Sequence, residues 1–528
     1  MITTELLNIA SSICPERVAV SSEGIKYTYV GLSERVDRLA KSLLGLGVSK
    51  GDRVAFLQVN CSQSVETYFA TATIGAIYVP LNYRAKAQEL VYILNDTEAN
   101  VLYIGERYID LVNSIIDNLT LKPALISLEK RHSGMPYYED LISSSPLGDI
   151  SAELNPDDTT VLLYTAGTTG LPKGVLLSHN SFTIYILENV DPADPEAHET
   201  ILISVPMYHV AGMQAMLVSI YGGRTIVMER QFQTEESMEL IESEKVSRAI
   251  VVPTMLKQII DYPDFAKRDL SSLKVITYGA APMPIDVIRK AVELLPGVSF
   301  INAFGQTETS STITMLGPED HVIEGSDEER EIKLKRLSSI GKALPDIEVK
   351  VVDQDGKGLV PNKIGEIVAR GARVMNEYWK GEKLDKQIID KDGWIHTGDM
   401  GYMDADGYFY LAGRSSDMII RSGENISPAE IEAILLSHAK IEDAAVIGIP
   451  DEEWGEQPLA IVVLAREESS SADEIIEYCR SKIASYKKPR GIIFVNELPR
   501  NPMGKVLKRE LREKYENYFI STKTESGD

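Results

Sequence analysis

Apolar positions along the chain follow two alternating rhythms. Short continuous apolar runs recur at Val54–Val59, Val101–Ile104, Thr160–Tyr164, Ile201–Val205, Thr225–Met228, Ala249–Val252 and Val275–Tyr278. Runs of this length predict strands buried on both faces. Segments with helical spacing lie between them. Ser64–Thr71 predicts one helix, and Ile285, Ile288, Val292 and Leu295 fall on one face of another. The alternation predicts an α/β protein with buried parallel strands.

From about residue 340 the rhythm changes. Glu348–Val352 and Glu366–Ala369 predict strands separated by a Gly/Pro-rich turn, and so a smaller β-rich layer. Gly413 onward predicts a compact α+β unit. Ser427-Pro428-Ala429-Glu430 predicts a capping box with Pro at the first helical position, opening a helix that carries Ile431, Ile434 and Leu435. Ser471-Ala472-Asp473-Glu474 opens another. Strands are expected at Ala444–Ile449, Leu459–Leu464 and Ile492–Val495, and the tail after Phe519 is expected to be disordered. No internal repeat is visible.

Length and composition narrow the class. With 528 residues the chain exceeds one ordinary core, so at least two domains are expected. Hydrophobic residues make up 44% and charged residues 25%, as in globular proteins. Mean hydropathy is -0.09, and the most apolar stretch, Tyr68 to Leu81, is broken by Thr, Gly and Pro, so no membrane span is expected. The first residues lack a basic segment followed by an apolar one, which makes the cytoplasm the expected compartment. Cys14, Cys61 and Cys479 are widely spaced and form no CxxC pair, so they are expected to be small buried apolar residues. The histidines show no metal-ligand spacing. A formal net charge of -24 disfavours nucleic acid and acidic membranes as partners. It equally repels a polyanionic substrate. A site for one must then offset the field with local basic residues, backbone N–H groups and a divalent cation.

One segment meets that description. Tyr164-Thr165-Ala166-Gly167-Thr168-Thr169-Gly170-Leu171-Pro172-Lys173-Gly174 follows a predicted strand. Its glycines allow a tight loop with inward N–H groups, its threonines add hydroxyls, and Lys173 adds a positive charge, which suits nucleotide phosphates. It is not a Walker A loop, because Pro172 and Gly174 flank the lysine where that motif needs Gly and then Ser or Thr. Further candidates are weaker alone. Asn302-Ala303-Phe304-Gly305-Gln306-Thr307-Glu308 offers an aromatic face for a base and a carboxylate for Mg²⁺. Thr397-Gly398-Asp399 places a carboxylate in a turn where it could meet ribose hydroxyls. Gly413-Arg414 is followed by Gly423-Glu424-Asn425, and Lys505 sits in a Pro/Gly-framed loop, Pro499 to Lys505.

In this order and spacing the segments resemble the acyl-adenylate-forming superfamily of AMP-binding enzymes, in its acyl-CoA synthetase branch. Pro206-Met207-Tyr208-His209 with Ala211-Gly212, Gly279-Ala280-Ala281-Pro282, and Gly365-Glu366-Ile367 extend the match over nearly the whole chain. The resemblance implies a large N-terminal domain of layered α/β sheets plus a β-rich subdomain, residues 1–413. A small mobile α+β lid, residues 414–528, follows, with a hinge near Ser416. Thr165, Gly167, Thr168, Thr169, Gly170 and Lys173 would hold the β- and γ-phosphates of ATP. Gly279, Ala280 and Phe304 would frame adenine, Thr307 would touch the α-phosphate, Glu308 would bind Mg²⁺, and Asp399 and Arg414 would fix the ribose. Lys505 would bridge the substrate carboxylate and the α-phosphate, His209 would sit beside the acid, and Gly423 would line the CoA channel. Phe304 stands where Tyr is frequent in the family, and Ser416 where Asp or Lys is.

The resemblance implies ATP- and Mg²⁺-dependent activation of a small-molecule carboxylic acid, followed by thioester formation with CoA, by a monomer or homodimer. A medium- or long-chain fatty acid is the expected substrate, with aryl acids behind it. The Pro206–Gly212 segment lacks the Asp that amino-acid-activating relatives usually carry there, which favours a plain acid. No carrier domain follows Lys505, so a free thiol acceptor is expected. An acyl-AMP ligase loading a separate carrier protein, a luciferase-like oxygenase and a non-catalytic nucleotide-binding protein are the alternatives.

Overall fold

The computed structural model describes residues 1–148, 150–165, 172–375, 377–381, 385, 388–421, 424–451, 454–466, 468–501, 504–516 and 518–519. A 6-stranded sheet runs in the spatial order Ala124–Ser127, Val101–Ile104, Arg53–Leu57, Ile77–Pro80, Thr159–Thr165, Lys173–Ser178. Its strands are parallel except the last, which turns back on Thr159–Thr165 as an antiparallel partner. A 9-stranded sheet has a parallel centre of Val18–Ser22, Thr225–Met228, Thr200–Ile203, Arg248–Val251, Val275–Gly279 and Ser299–Gln306. Antiparallel strands Ile25–Thr28 and Ser311–Leu316 flank this centre, and Lys342–Ala343 pairs outside the latter.

One apolar core joins the two sheets. Val54, Tyr78 and Leu163 from the first meet Ile203, Ile226 and Phe300 from the second through helix residues Leu39, Phe69, Phe182 and Leu217. Helix Ser62–Ile74 is buried almost all round. That explains why the Tyr68–Leu81 stretch is so apolar without spanning a membrane. Its Thr71 hydroxyl donates to Tyr68 O at 2.8 Å, so the polar residue is satisfied locally. No helix among the described residues is long and apolar enough to cross a membrane.

The predicted β-rich layer is a 4-stranded antiparallel sheet, Glu348–Val352, Gly365–Arg370, Ile395–Met403 and Phe409–Arg414. The final unit is a 5-stranded sheet built on the long hairpin Ile441–Asp451 and Gly455–Leu464. Alternate residues of these strands serve opposite faces. Val446, Ala460 and Val462 pack with Ile431, Leu435, Ile475 and Cys479 of the two helices. Ala445, Ile447, Leu459 and Ile461 pack with Leu498 and Leu511 on the other side. Covering both faces makes the sequence read as an unbroken apolar run. The architecture is therefore mixed α/β, with a large N-terminal and a small C-terminal domain, as expected.

Some local expectations change. The runs Val54–Val59 and Ile201–Val205 leave the ladder at Leu57 and Ile203. Asn60 explains both endings. Its side-chain amide donates to Val205 O at 3.0 Å and Glu229 O at 3.1 Å and accepts from Met207 N at 3.0 Å, tying the ends of the two sheets together. Ser427 caps helix Pro428–Leu436 as expected, accepting from Glu430 N at 3.3 Å. The reciprocal half of the box is not made, because the Glu430 carboxylate takes Lys487 Nζ at 2.8 Å instead. All three cysteines are free and buried, as expected. The tail beyond Phe519 lies outside the described residues.

Candidate active site

The candidate residues converge where parallel strands of the 9-stranded sheet end, the usual ligand edge of an open α/β sheet. Gly279 pairs in register with Ala303. A Cβ on Gly279 would lie 2.2 Å from Ala303 O, so only glycine allows the two strand ends to close up. Ala280 follows with φ +67, a left-handed conformation that costs a non-glycine residue energy. Phe304 is half-buried and packs towards Ile340, Val351, Ile367 and Phe409.

Thr307 and Glu308 stand on a single 3-10 turn, Thr307–Thr309, followed by two left-handed non-glycines, Ser310 at φ 53 and Ser311 at φ 80. Arg373 holds this turn. Its fully buried guanidinium donates to Thr309 O at 3.1 Å, to Thr312 O and to the Asp346 carboxylate, and its own carbonyl accepts from Ser310 Oγ at 2.5 Å.

Glu308 is fixed by the Met375 N–H, which donates to its carbonyl at 3.0 Å, and by the Tyr378 hydroxyl, which donates to Oε1 at 2.9 Å. Burial and the Glu308 charge raise the Tyr378 pKa, so the phenol stays protonated and a donor. Tyr378 also bridges to Val175, and Trp379 N donates to Gly174 O at 2.8 Å. This places Lys173 Nζ 5.7 Å from the Tyr378 ring centre. Thr165 and Lys173 face each other at the mouth of the hairpin, and the Gly167, Thr168, Thr169 and Gly170 between them lie outside the described residues.

Asp399 and Arg414 are register partners on neighbouring strands. Arg414 Nε lies 2.7 Å from Asp399 Oδ1, and Nη1 donates to Thr397 O at 3.0 Å. Thr397, Gly398 and Asp399 lie within strand Ile395–Met403 and not in the expected turn; Gly398 has φ +70, and Glu366 accepts from its N–H at 2.9 Å. Burial raises the Asp399 pKa, while Arg414 and then Lys505 oppose the rise.

Lys505, in the small domain, lies within charge range of this pair. Its loop closes on itself, with Lys505 N donating to Asn501 Oδ1 at 2.9 Å and Asn501 N to Lys505 O at 2.8 Å. Gly504 has φ +74, and a Cβ there would lie 2.8 Å from Thr254 Oγ1 at the start of helix Pro253–Ile260. The loop thus rests directly on the large domain. Lys505 keeps exposed surface along its length. Even so, packing around the ammonium pushes its pKa down, Arg414 adds to that, and Asp399 and Asp417 resist.

His209 is the N-cap of helix Val210–Tyr221. Burial pushes its pKa down to about 4, so the ring is neutral near pH 7, and its Nε2 has no partner among the described residues. Gly212 lets the Pro206–His209 loop fold back, because a Cβ there would meet Pro206 O at 2.5 Å.

Known proteins with this arrangement decide the family. The profile described as AMP-binding enzyme matches residues 10–379, and AMP-binding enzyme C-terminal domain matches residues 430–505. The chain belongs to the AMP-binding enzyme family. Within it the chain groups with AMP-forming acid–thiol ligases. It is 32% identical over 97% of its length to the indoleacetate–CoA ligase of Aromatoleum aromaticum, covering 97% of that protein. It is 33% identical over 95% of its length to the fatty acid–[acyl-carrier-protein] ligase ScoC of Streptomyces coeruleorubidus, covering 94% of it. The structure of ATP-bound MatB from Rhodopseudomonas palustris superposes with a TM-score of 0.87 at 27% identity, covering 98% of this chain and 100% of that one.

As in the family pattern, the C-terminal match ends on Lys505. Ser416 lies in the short turn Ser415–Asp417. On one side of it Arg414 is bound to Asp399, and on the other Asp417 pairs with Arg512 of the small domain at 2.6 Å. Gly423 lies outside the described residues. Among those described, no cluster of three or more His, Cys, Asp or Glu gathers to hold a metal. Glu308 supplies a single carboxylate whose Oε2 accepts no hydrogen bond among the described residues, which fits Mg²⁺ carried mainly by phosphate oxygens and water.

Sequence reasoning missed Tyr378, Arg373 and Asn60. Tyr378 carried a faint signal in the Tyr378-Trp379 aromatic pair; Arg373 and Asn60 carried none. An open cavity of about 480 Å³ lined by Ile2, Leu7, Asp37, Phe69 and Ile150 shares no residue with the candidate site.

Proposed function

We propose that this chain is an AMP-forming acyl-CoA synthetase that adenylates a carboxylic acid with an apolar body, fatty or aryl, and transfers the acyl group to CoA. The observation that carries the reading is the Lys505 loop of the small domain seated on Thr254 of the large one, within charge range of the Asp399–Arg414 pair. We place the domain boundary at 413/414 and the hinge near Ser416, between one residue tied to each domain.

In the first step an oxygen of the substrate carboxylate attacks the α-phosphorus of ATP, the bond to the bridging oxygen breaks, and pyrophosphate leaves. The chain's contribution is positioning and charge. Asp399 accepts from the ribose hydroxyls, and Arg414 opposes the rise that burial gives its pKa. Lys173 and the Thr165 loop hold the departing phosphates. Lys505 bridges the carboxylate and the α-phosphate, and Thr307 touches the latter. Glu308, steadied by Tyr378, would hold Mg²⁺, which supplies neutralisation of the phosphate charge. His209 is uncharged and meets the acid as a packing and hydrogen-bonding group. In the second step the lid turns about Ser416, withdraws Lys505 and brings the Gly423 loop to the pantetheine arm. The thiol gives up its proton, sulfur attacks the acyl carbonyl, and AMP leaves with the electron pair of the broken C–O bond.

Incubation with ATP, Mg²⁺, CoA and a panel of acids from acetate to long fatty acids, benzoate and cinnamate tests the reading. Acid-dependent AMP and pyrophosphate with matching acyl-CoA are expected. Activation without acyl-CoA would favour a carrier protein as acceptor, a second reading supported by the similarity to a carrier-protein ligase. No AMP with any acid would overturn the reading.

A further inference from the structure

Helix Val210–Tyr221 leaves His209 and is almost wholly buried. Ala211 and Val218 are the residues that stay half-buried, and Ala215 keeps 9% exposure. Their spacing puts them on one face, the least covered face of the helix. Gln214 lies three residues after Ala211 and four before Val218, on the same stripe. Gln214 is 6% exposed, and neither its amide oxygen nor its amide nitrogen has a hydrogen-bond partner among the described residues. Ser219, the other small polar residue of the helix, is satisfied by donating to Ala215 O at 2.6 Å.

Buried polar groups in native proteins nearly always find a partner. Two atoms of one amide left unpaired among the described residues, on the helix that His209 caps, mark a place where the partner comes from outside the chain. A hydrocarbon there would leave the amide unpaired. A hydroxyl, carbonyl or ring N–H would satisfy it. With a helical rise of about 1.5 Å per residue, Gln214 stands on the order of 7 Å beyond His209 along the helix.

We infer that Gln214 selects an acid whose apolar body carries a hydrogen-bonding group remote from the carboxylate, favouring a hydroxylated or N–H-bearing aryl acid over an unsubstituted alkyl acid. The inference rests on the ligase reading above and names the substrate class of that same site. The amide offers a donor and an acceptor to that group.

The test compares kcat/KM for AMP formation within matched pairs, 4-hydroxycinnamate against cinnamate and 8-hydroxyoctanoate against octanoate, in the wild type and Gln214→Leu. The wild type should favour the polar member of at least one pair by about tenfold or more, and the ratio should fall towards one in the variant. The ratio is taken within each protein, so a change in the folded fraction cancels. A wild type indifferent to the hydroxyl in both pairs overturns the inference, as does a variant with an unchanged ratio. Both leave the ligase reading intact if AMP and acyl-CoA form. AMP from none of these acids, nor from the wider panel, removes the ligase reading and this inference with it.

Discussion

Tyr378 Oη lies 2.9 Å from Glu308 Oε1, while Lys173 Nζ sits 5.7 Å from the centre of the same phenol ring. One side chain, in a segment without any obvious motif, therefore joins the lysine of the phosphate loop to the carboxylate assigned to the cation. Tyr378→Phe should slow adenylation by roughly tenfold, because the carboxylate loses the donor that orients it. Glu308→Gln should raise the Mg²⁺ concentration needed for half-maximal rate. Acid-dependent pyrophosphate exchange titrated with Mg²⁺ reads both. Wild-type titration curves from both variants would remove the assignment of Glu308.

The Lys505 loop rests on Thr254 through Gly504. Lys505→Ala should lower adenylation by about a hundredfold or more, since a charge aimed at the reacting phosphate is lost. It should largely spare thioester formation from supplied acyl-AMP. Single-turnover measurement of each half-reaction separates the two, and equal loss in both would rule out the role.

Arg373 carries a buried ion pair with Asp346 and two carbonyl contacts on the turn behind Thr307 and Glu308. Arg373→Ala should destabilise the protein by about 3–5 kcal/mol, because Asp346 is left charged and buried without its partner. Urea unfolding midpoints report the loss. A change below about 1 kcal/mol would show that the turn holds its shape without the clamp.

His179 and His209 are both pushed down by burial to about 4. A folded-state pKa below the unfolded one means that the unfolded chain binds the extra proton. Their contribution is therefore complete above the ordinary histidine pKa of 6.5 and is lost as pH falls towards 4. Each accounts for about 2–3 kcal/mol at most. Urea midpoints should fall over that window, and His179→Gln, which removes the ring whose Nδ1 lies 2.9 Å from Thr3 Oγ1, should flatten the slope. An unchanged slope would contradict the burial argument.

The sequence by itself determined the strand and helix alternation, the β-rich layer after about residue 340 and the separate C-terminal unit. Hydrophobic period is a local property, and most of these elements bury their apolar face according to that period, although Ile285 at the start of its helix stays exposed. The order of residues also singles out the candidate segments, because tight turns and phosphate loops need glycine, threonine and lysine at fixed spacing. Asp399 and Arg414 were visible as candidates, although nothing in the order of residues said that their strands would pair in register.

Tertiary structure alone decided the rest. Tyr378 meets Glu308 across 70 residues, Arg373 meets the turn at Thr312 across 61, and Asn60 meets Met207 across 147. Contacts of that separation leave no periodic or compositional trace, since any residue able to donate could have stood there. The half-made cap at Ser427 has the same cause. Glu430 fits the local motif, but Lys487, brought close by the fold, offers its carboxylate a full positive charge where the cap offers only a backbone N–H.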